Sequence, residues 1–285
     1  MNFKTTLLAT TLAVSSLAQA ELSLKIYHAD ANSFSVTSTL VMGEKEALLI
    51  DSGFTRADAL RIAANILDSG KTLNTILVSQ ADPDYYFGVE TLKQFFPEAK
   101  VVATPAVRAE IEEKLATKLA VWTPQMGSNA PKTPVIPTAL EGNQLQLEGE
   151  TLEIRGTQGV LANRPYVWIP ALKTITGNVA IYGDMHLWTA DSQSPAARAA
   201  WLKQLEEMKA LQPKMVIPGH MAAGTKLDAS AIDFSHRYLT AFEKALASSK
   251  TSQEVIAKME KQYPNLADKG NLELGAKVNT GEMKW

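Results

Sequence analysis

Apolar and polar positions along the chain follow two periods, and each change of period marks an element. Leu22-Ser23-Leu24-Lys25-Ile26-Tyr27 alternates and reads as a strand, and Phe34 to Met42 alternates again. Gly43-Glu44-Lys45-Glu46 is a turn, and the apolar run Ala47 to Ile50 is a buried strand, so the two strands form a hairpin. Asp51-Ser52-Gly53 ends it. Thr55 is placed to N-cap a helix with Leu60, Ile62, Ala63 and Ile66 on its apolar face, stopped near Gly70. The β-branched run Thr75 to Val78 reads as a buried strand. A polar turn follows it, and then a helical pattern with Phe87, Leu92, Phe95 and Phe96. A strand from Lys100 to Ala103 and a helix from Pro105 to about Ala120 come next.

Pro124, Pro131, Pro134 and Pro137, with Gly127 among them, break the periodicity and predict an irregular loop covering a site. Strands resume at Leu145 to Leu147, Leu152 to Arg155, Tyr166 to Ile169 and Lys173 to Ile175. A helix carrying Trp201, Leu205, Met208 and Leu211 leads to the strand Met215 to Ile217, and helices near Asp228 to Ala247 and Ser252 to Gln262 close the pattern. Hairpin, αβ units, further strands and final helices predict an α/β chain with two sheets packed face to face and helices outside.

Composition narrows the setting. Lys4, the apolar stretch Leu7 to Leu17 and the small-x-small triplet Ala18-Gln19-Ala20 read as a signal peptide over residues 1–20, cleaved before Glu21. Residues 21–285 then form one domain of an exported, periplasmic protein. The chain has 0 Cys, which fits an oxidising compartment, leaves no lipoprotein anchor at the cleavage site and removes thiolate chemistry. No later stretch is long and apolar enough to insert in a membrane. The net charge is -2 with no basic block, so nucleic acid is not an expected partner.

The chemistry concentrates in Val78-Ser79-Gln80-Ala81-Asp82-Pro83-Asp84-Tyr85-Tyr86-Phe87-Gly88. Gln80, Asp82, Asp84 and Tyr85 lie between a buried strand and a helix, where α/β proteins place binding groups. Strand, Thr-His-x-His-x-Asp-His-x-x-Gly, then helix is the signature of the metallo-β-lactamase superfamily, which this stretch resembles. Asp84 and Gly88 match its Asp and Gly, while Gln80, Asp82 and Tyr85 stand where that family has His. The resemblance runs from about residue 30 to 247 and implies an αββα sandwich of two mixed sheets.

The resemblance also implies a ligand set. The family holds two zinc ions with six or seven side chains. At the later positions this chain has Thr157 for a His, Asn178 for the bridging Asp, and His220 in Pro218-Gly219-His220 for the last His. Only Asp84 and His220 match. Zinc prefers imidazole and thiolate, whereas oxygen donors suit harder cations, so a two-zinc site is not expected. At most one divalent cation (Mn, Fe, Mg, Ca or Zn) is expected, on Asp82, Asp84 and His220, with Gln80, Tyr85 and Asn178 as further candidates. Asp84 and His186 are the candidate catalytic groups, with Asp184 an alternative to His186. Asp51, which orients the metal loop from behind in the family, is the expected supporting residue. Arg164 either points an anion-binding guanidinium at the pocket or lies on the surface. His28 and His236 read as structural.

Bland readings stand beside these. Asp82 and Asp84 flank Pro83 and are equally good turn formers, and a His after Pro-Gly is often only a loop residue. The expected function is an exported hydrolase with a non-standard, oxygen-rich metal site, acting on a small ester, lactone, amide or phosphoester. The alternative is an inert protein on the same scaffold that binds a small molecule.

Overall fold

The computed structural model describes residues 21–285, and the expected targeting segment lies outside the described residues. In chain order, the first half comprises β1 (Ser23–His28), β2 (Thr37–Met42), β3 (Glu46–Ile50), α1 (Arg56–Ser69), β4 (Thr72–Leu77), α2 (Pro83–Tyr86), α3 (Val89–Phe95), β5 (Lys100–Ala103), α4 (Pro105–Met126) and β6 (Thr138–Ala139). The second half comprises β7 (Gln144–Leu147), β8 (Glu150–Arg155), β9 (Tyr166–Ile169), β10 (Thr174–Thr176), β11 (Tyr182–Gly183), α5 (Pro195–Ala210), β12 (Met215–Val216), β13 (His220–Met221), α6 (Ser230–Ala247), α7 (Ser252–Gln262) and α8 (Lys269–Asn279).

One sheet has the order β1-β2-β3-β4-β5-β6 and the other β12-β10-β9-β8-β7, while β11 and β13 pair separately. Both larger sheets are mixed. In the first, β1, β2 and β3 are antiparallel while β3 through β6 run parallel. In the second, only β10 and β12 are parallel.

The period of two assigns each face its layer. Leu48 and Ile50 of β3 meet Leu152 and Ile154 of β8 and Val167 and Ile169 of β9 between the sheets. Ala47 and Leu49 turn the other way, to join Ile62 and Ile66 of α1 and Val107 and Ile111 of α4. Tyr166 and Trp168 of β9 likewise face outward, onto Leu205 of α5 and Leu239 and Phe242 of α6. The result is the expected αββα sandwich. Among the described residues, no helix is long and apolar enough to cross a membrane.

Local chemistry sets most boundaries. Thr55 caps α1 in a reciprocal box with Asp58, and Gly70 closes the helix in the left-handed region at φ 66. The buried stripe of α1 is Ala59, Ile62, Ala63 and Ile66, and Leu60, expected on that face, is 40% exposed. Leu60 lies one position past the helical repeat that the other four keep. The strand expected from Phe34 begins only at Thr37. Phe34 and Ser35 take φ of 57 and 52, which breaks the ladder and carries the Phe34 ring out of it.

Two further expectations need correction. α4 runs on through Pro124 to Met126, because a proline so close to a helix end removes little of the hydrogen-bond ladder. Its last turns, not the proline-rich loop, line the pocket described below. That loop is tied down elsewhere: Glu90 accepts the amides of Lys132 and Thr133, and Val135 packs on the helix-covered face of the first sheet. α8 was not expected, since Gly270 and Gly275 interrupt its apolar pattern. Gly275 is there for space, because a Cβ on it would lie 2.2 Å from the Thr189 hydroxyl oxygen.

The glycine frame around the central turn is similarly dictated. A Cβ on Gly88 would lie 2.1 Å from the Ser52 carbonyl oxygen, which belongs to backbone and cannot swing aside. Gly88→Ala is therefore expected to cost about 3 kcal/mol, by forced displacement of packed backbone. Gly149→Ala has nothing within 4 Å and only its φ of 89 against it, so it should cost roughly 1 kcal/mol. Thermal or urea unfolding of the two variants checks the ranking.

Candidate functional site

Several element ends meet at one edge of the sandwich: the ends of β3 and β4, the turn after β10 and the start of β13. Asp51, the first residue after β3, takes φ 65 and is 1% exposed. Its carboxylate accepts the Ser79 amide at 2.8 Å and the Ser79 hydroxyl at 2.7 Å. These two bonds hold the first residues of the central turn from behind. Burial pushes the Asp51 carboxyl up to about 7, against the opposing effect of the two Ser79 bonds.

The turn residues divide sharply. Gln80 is fully buried, and its side-chain amide donates to the Pro165 carbonyl at 2.8 Å, tying the turn to the loop before β9. Asp82 stands at the N-cap of α2 yet makes no capping bond, so the turn-former reading does not describe its side chain. Its carboxylate instead lines a pocket, one quarter exposed (25%) and 4.0 Å from the Lys118 ammonium. Burial and the Asp191 charge push the Asp82 carboxyl up, and Arg164 and Lys118 oppose them.

Asp84 lines the same pocket, is 6% exposed and accepts no hydrogen bond from the side chain or backbone of another described residue. Burial, then the neighbouring Asp82 charge, pushes its carboxyl well above the ordinary range. The Tyr85 hydroxyl lies 3.0 Å from the Asn178 carbonyl oxygen and 3.1 Å from His220 Nε2. Gly219 must be glycine for this meeting, since a Cβ there would lie 1.9 Å from the Asn178 carbonyl oxygen and 2.6 Å from the Tyr85 hydroxyl.

His220 is held in one tautomer. Its Nδ1 is 2.9 Å from the Phe34 carbonyl, which only accepts, so Nδ1 carries the proton. Burial lowers the imidazole to about 4, which leaves it neutral at pH 7 with a bare lone pair on Nε2. That lone pair faces the Tyr85 hydroxyl, with Asp84 Oδ2 3.5 Å away. The His220–Asp84 contact is then not an ion pair, because burial drives both groups towards their neutral forms.

Other expected residues lie elsewhere. Asn178 is fully buried, and its side chain donates to the Ile217 carbonyl and accepts the Ile181 amide, so both ends are committed to the backbone. His186, expected to face the pocket, is turned towards α6: its Nδ1 is 2.8 Å from the Tyr238 hydroxyl, and burial lowers it to about 4. The packing of α6 against β11 draws it inward. Asp184, the alternative to His186, is exposed, and Thr157 does not line the pocket. Arg164 neither lines the pocket nor lies free on the surface. It pairs with Asp191 at 3.4 Å, with 11% of its side chain exposed. His28 bonds the Met221 carbonyl and His236 contacts Glu206, both structural roles.

The pocket, its opening to solvent included, spans about 660 Å³ of empty space. Its walls come from residues that the sequence pattern did not single out. Phe34, Phe54 and Trp122 form one aromatic group, with ring centroids 5.1 to 5.5 Å apart. Trp188 and Trp285 form another at 5.2 Å, and both indole N–H groups donate to Asp191. Burial works to raise the Asp191 carboxyl, but Arg164 and Lys118 overcome it and hold it low. Lys118 sits one turn before Trp122 on α4, with its ammonium 5.9 Å from the centre of the Trp285 ring. A hint existed in the sequence: Lys118 and Trp122 are four apart on one helix face.

The family model described as the metallo-beta-lactamase superfamily matches residues 31–220. The chain belongs to the metallo-β-lactamase superfamily. A metallo-beta-lactamase family protein from Thermus thermophilus is similar in structure, with a TM-score of 0.63 at 17% identity, over 91% of each chain. A metallo-beta-lactamase from Pontibacter korlensis superposes with a TM-score of 0.54 at 17% identity, over 81% of this chain and 97% of that one. The DIM-1 metallo-beta-lactamase gives 0.55 at 16% identity, over 77% and 93%. Comparison with curated proteins yields no match. At such identities the likeness is one of fold.

The zinc that the family implies does not fit these residues. Among the described residues, no three His, Cys, Asp or Glu side chains converge to hold a metal ion. Asn178 spends both ends of its side chain on backbone, Gln80 gives its amide N–H to Pro165 and keeps only a buried Oε1 without a partner among the described residues, and a phenol hydroxyl faces the His220 Nε2 lone pair.

The buried Asp51 gives a pH test. Its folded-state value of about 7 lies above the ordinary 3.8, so between those values the folded chain binds the proton and the unfolded chain does not. Stability from this group is therefore present below about pH 4 and is lost as pH rises towards 7. Asn cannot titrate. The stability of Asp51→Asn relative to the parent should thus rise steadily over that window, as followed by urea unfolding at several pH values. A flat difference would show that Asp51 titrates normally.

Proposed function

We propose that this protein binds a small molecule in the aromatic pocket without a metal ion, on a metallo-β-lactamase scaffold. The single observation that carries this reading is the meeting of Tyr85, Asn178 and His220. The Nε2 lone pair of His220 faces the Tyr85 hydroxyl at 3.1 Å, and the Asn178 side chain is bonded to backbone at both ends. The phenol fills the space in front of Nε2 where a metal would sit, and the Asn178 side-chain oxygen is already taken by the Ile181 amide. The rest of the pocket is what a small organic ligand needs: aromatic walls, a few polar groups and an opening to water.

A second reading keeps the fold's hydrolytic character and places one hard cation on Asp82 and Asp84. The crowding of those carboxylates favours it, because the Asp82 charge raises Asp84 and a cation would relieve the repulsion. Metal titration followed by melting temperature separates the readings. A ligand at a hundred times its dissociation constant stabilises the fold by about 2.7 kcal/mol. On the metal-free reading, zinc, manganese, calcium and magnesium leave the parent unshifted. Asp84→Asn, which relieves the crowding, should be at least as stable as the parent. A cation that raises the parent's melting temperature and leaves Asp84→Asn unmoved would sink the metal-free reading.

We also propose export to the periplasm, on the strength of Lys4, the apolar Leu7 to Leu17 and Ala18-Gln19-Ala20. Mass spectrometry of the protein from a periplasmic extract should find Glu21 at its N-terminus. A chain retaining Met1 would refute export by cleavage.

A further inference from the structure

We propose that the pocket takes an organic cation, an ammonium carried on an apolar or aromatic body, held by Asp82 and Asp84 and by the indole faces of Trp122, Trp188 and Trp285. The proposal rests on the metal-free reading above and names the ligand class for the same site.

Charge and geometry point the same way. Asp191 is matched by Arg164 at 3.4 Å, and Asp82 is faced by Lys118 at 4.0 Å. Asp84 is left over. Its side chain is 9% exposed, it lines the pocket, and its nearest basic atom belongs to the neutral His220 at 3.5 Å. A buried carboxylate that accepts no hydrogen bond from another residue is costly unless a cation or donor arrives. A cation arriving beside Asp84 favours its ionised form and pairs with it, whereas an anionic ligand would be opposed by both Asp82 and Asp84.

The walls suit the same ligand. An aromatic face carries negative electrostatic potential and attracts a cation within about 6 Å of its centre. The chain already supplies an example: the Lys118 ammonium lies 5.9 Å from the Trp285 ring centre and 4.0 Å from Asp82. A tethered ammonium thus already uses the carboxylate and indole surfaces offered to an incoming one. Lys118 then acts as an internal competitor, and removing its charge should improve binding of an external cation. An anion site would behave in the opposite way.

Calorimetry with three probes of similar body tests this: benzyltrimethylammonium, benzyl alcohol and phenylacetate. In the parent the ammonium should bind at least about tenfold more tightly than the alcohol, and phenylacetate should bind least. Lys118→Met, a change on a partly exposed helix face, should tighten ammonium binding several-fold. Asp82→Asn should weaken it about tenfold, with melting curves confirming that both variants fold. Tighter binding of phenylacetate than of the ammonium, with its loss in Lys118→Met, would overturn the cation assignment and leave a metal-free binding site standing. Zinc or manganese heat that disappears in Asp84→Asn would overturn the metal-free reading itself. No heat from any of the three probes would overturn the cation assignment outright.

Discussion

The buried carboxylate of Asp51 holds the site together. By accepting both the amide and the hydroxyl of Ser79, it sets the direction in which the chain leaves β4. That direction buries Gln80 against Pro165, presents Asp82 and Asp84 to the pocket, and brings the Tyr85 ring beneath the Pro218-Gly219-His220 loop. The cost of burying the charge appears in the raised pKa of Asp51, and the gain is a turn with one conformation.

A scaffold built to aim side chains at an ion can aim them at each other. Tyr85 is the clearest case. Its hydroxyl reaches across to the second half of the chain and meets both the Asn178 carbonyl and His220 Nε2, 93 and 135 residues away in sequence. Here one phenol links loops of the two halves. The mouth of the pocket is held by a different logic, in which Asp191 gathers two indole N–H groups and the Arg164 guanidinium.

The two layers of this architecture were not equally legible in the sequence. The strands β1 and β2 follow from alternation and β3 and β4 from short apolar runs, and the glycine frame of Gly88 and Gly219 marks where backbone crosses backbone. These features encode the fold, and they survive whatever happens to the chemistry. The absence of imidazoles at most of the family's ligand positions was equally plain from residue types alone. What sequence could not supply was where the substitutes point. Asn178 reads as a candidate oxygen donor and turns out to bond backbone at both ends, Gln80 is tied to the Pro165 carbonyl through its amide nitrogen, and His186 is drawn towards Tyr238 by the packing of α6. The aromatic lining was hidden for another reason. Phe34, Trp122, Trp188 and Trp285 are distant in sequence and come to one pocket only once Phe34 leaves its strand and α4 runs past Ala120.

The placement of the indoles has an optical consequence. The chain has 5 Trp. Trp168 and Trp201 are 7% and 3% exposed, in the core between the second sheet and its helices. Trp122, Trp188 and Trp285 line the pocket. Emission from this protein therefore comes from two environments, a dry interior and a wet mouth flanked by carboxylates. A dissolved quencher would strip the second signal and spare the first. The spectrum would thus follow the opening and filling of the pocket separately from unfolding, without any label.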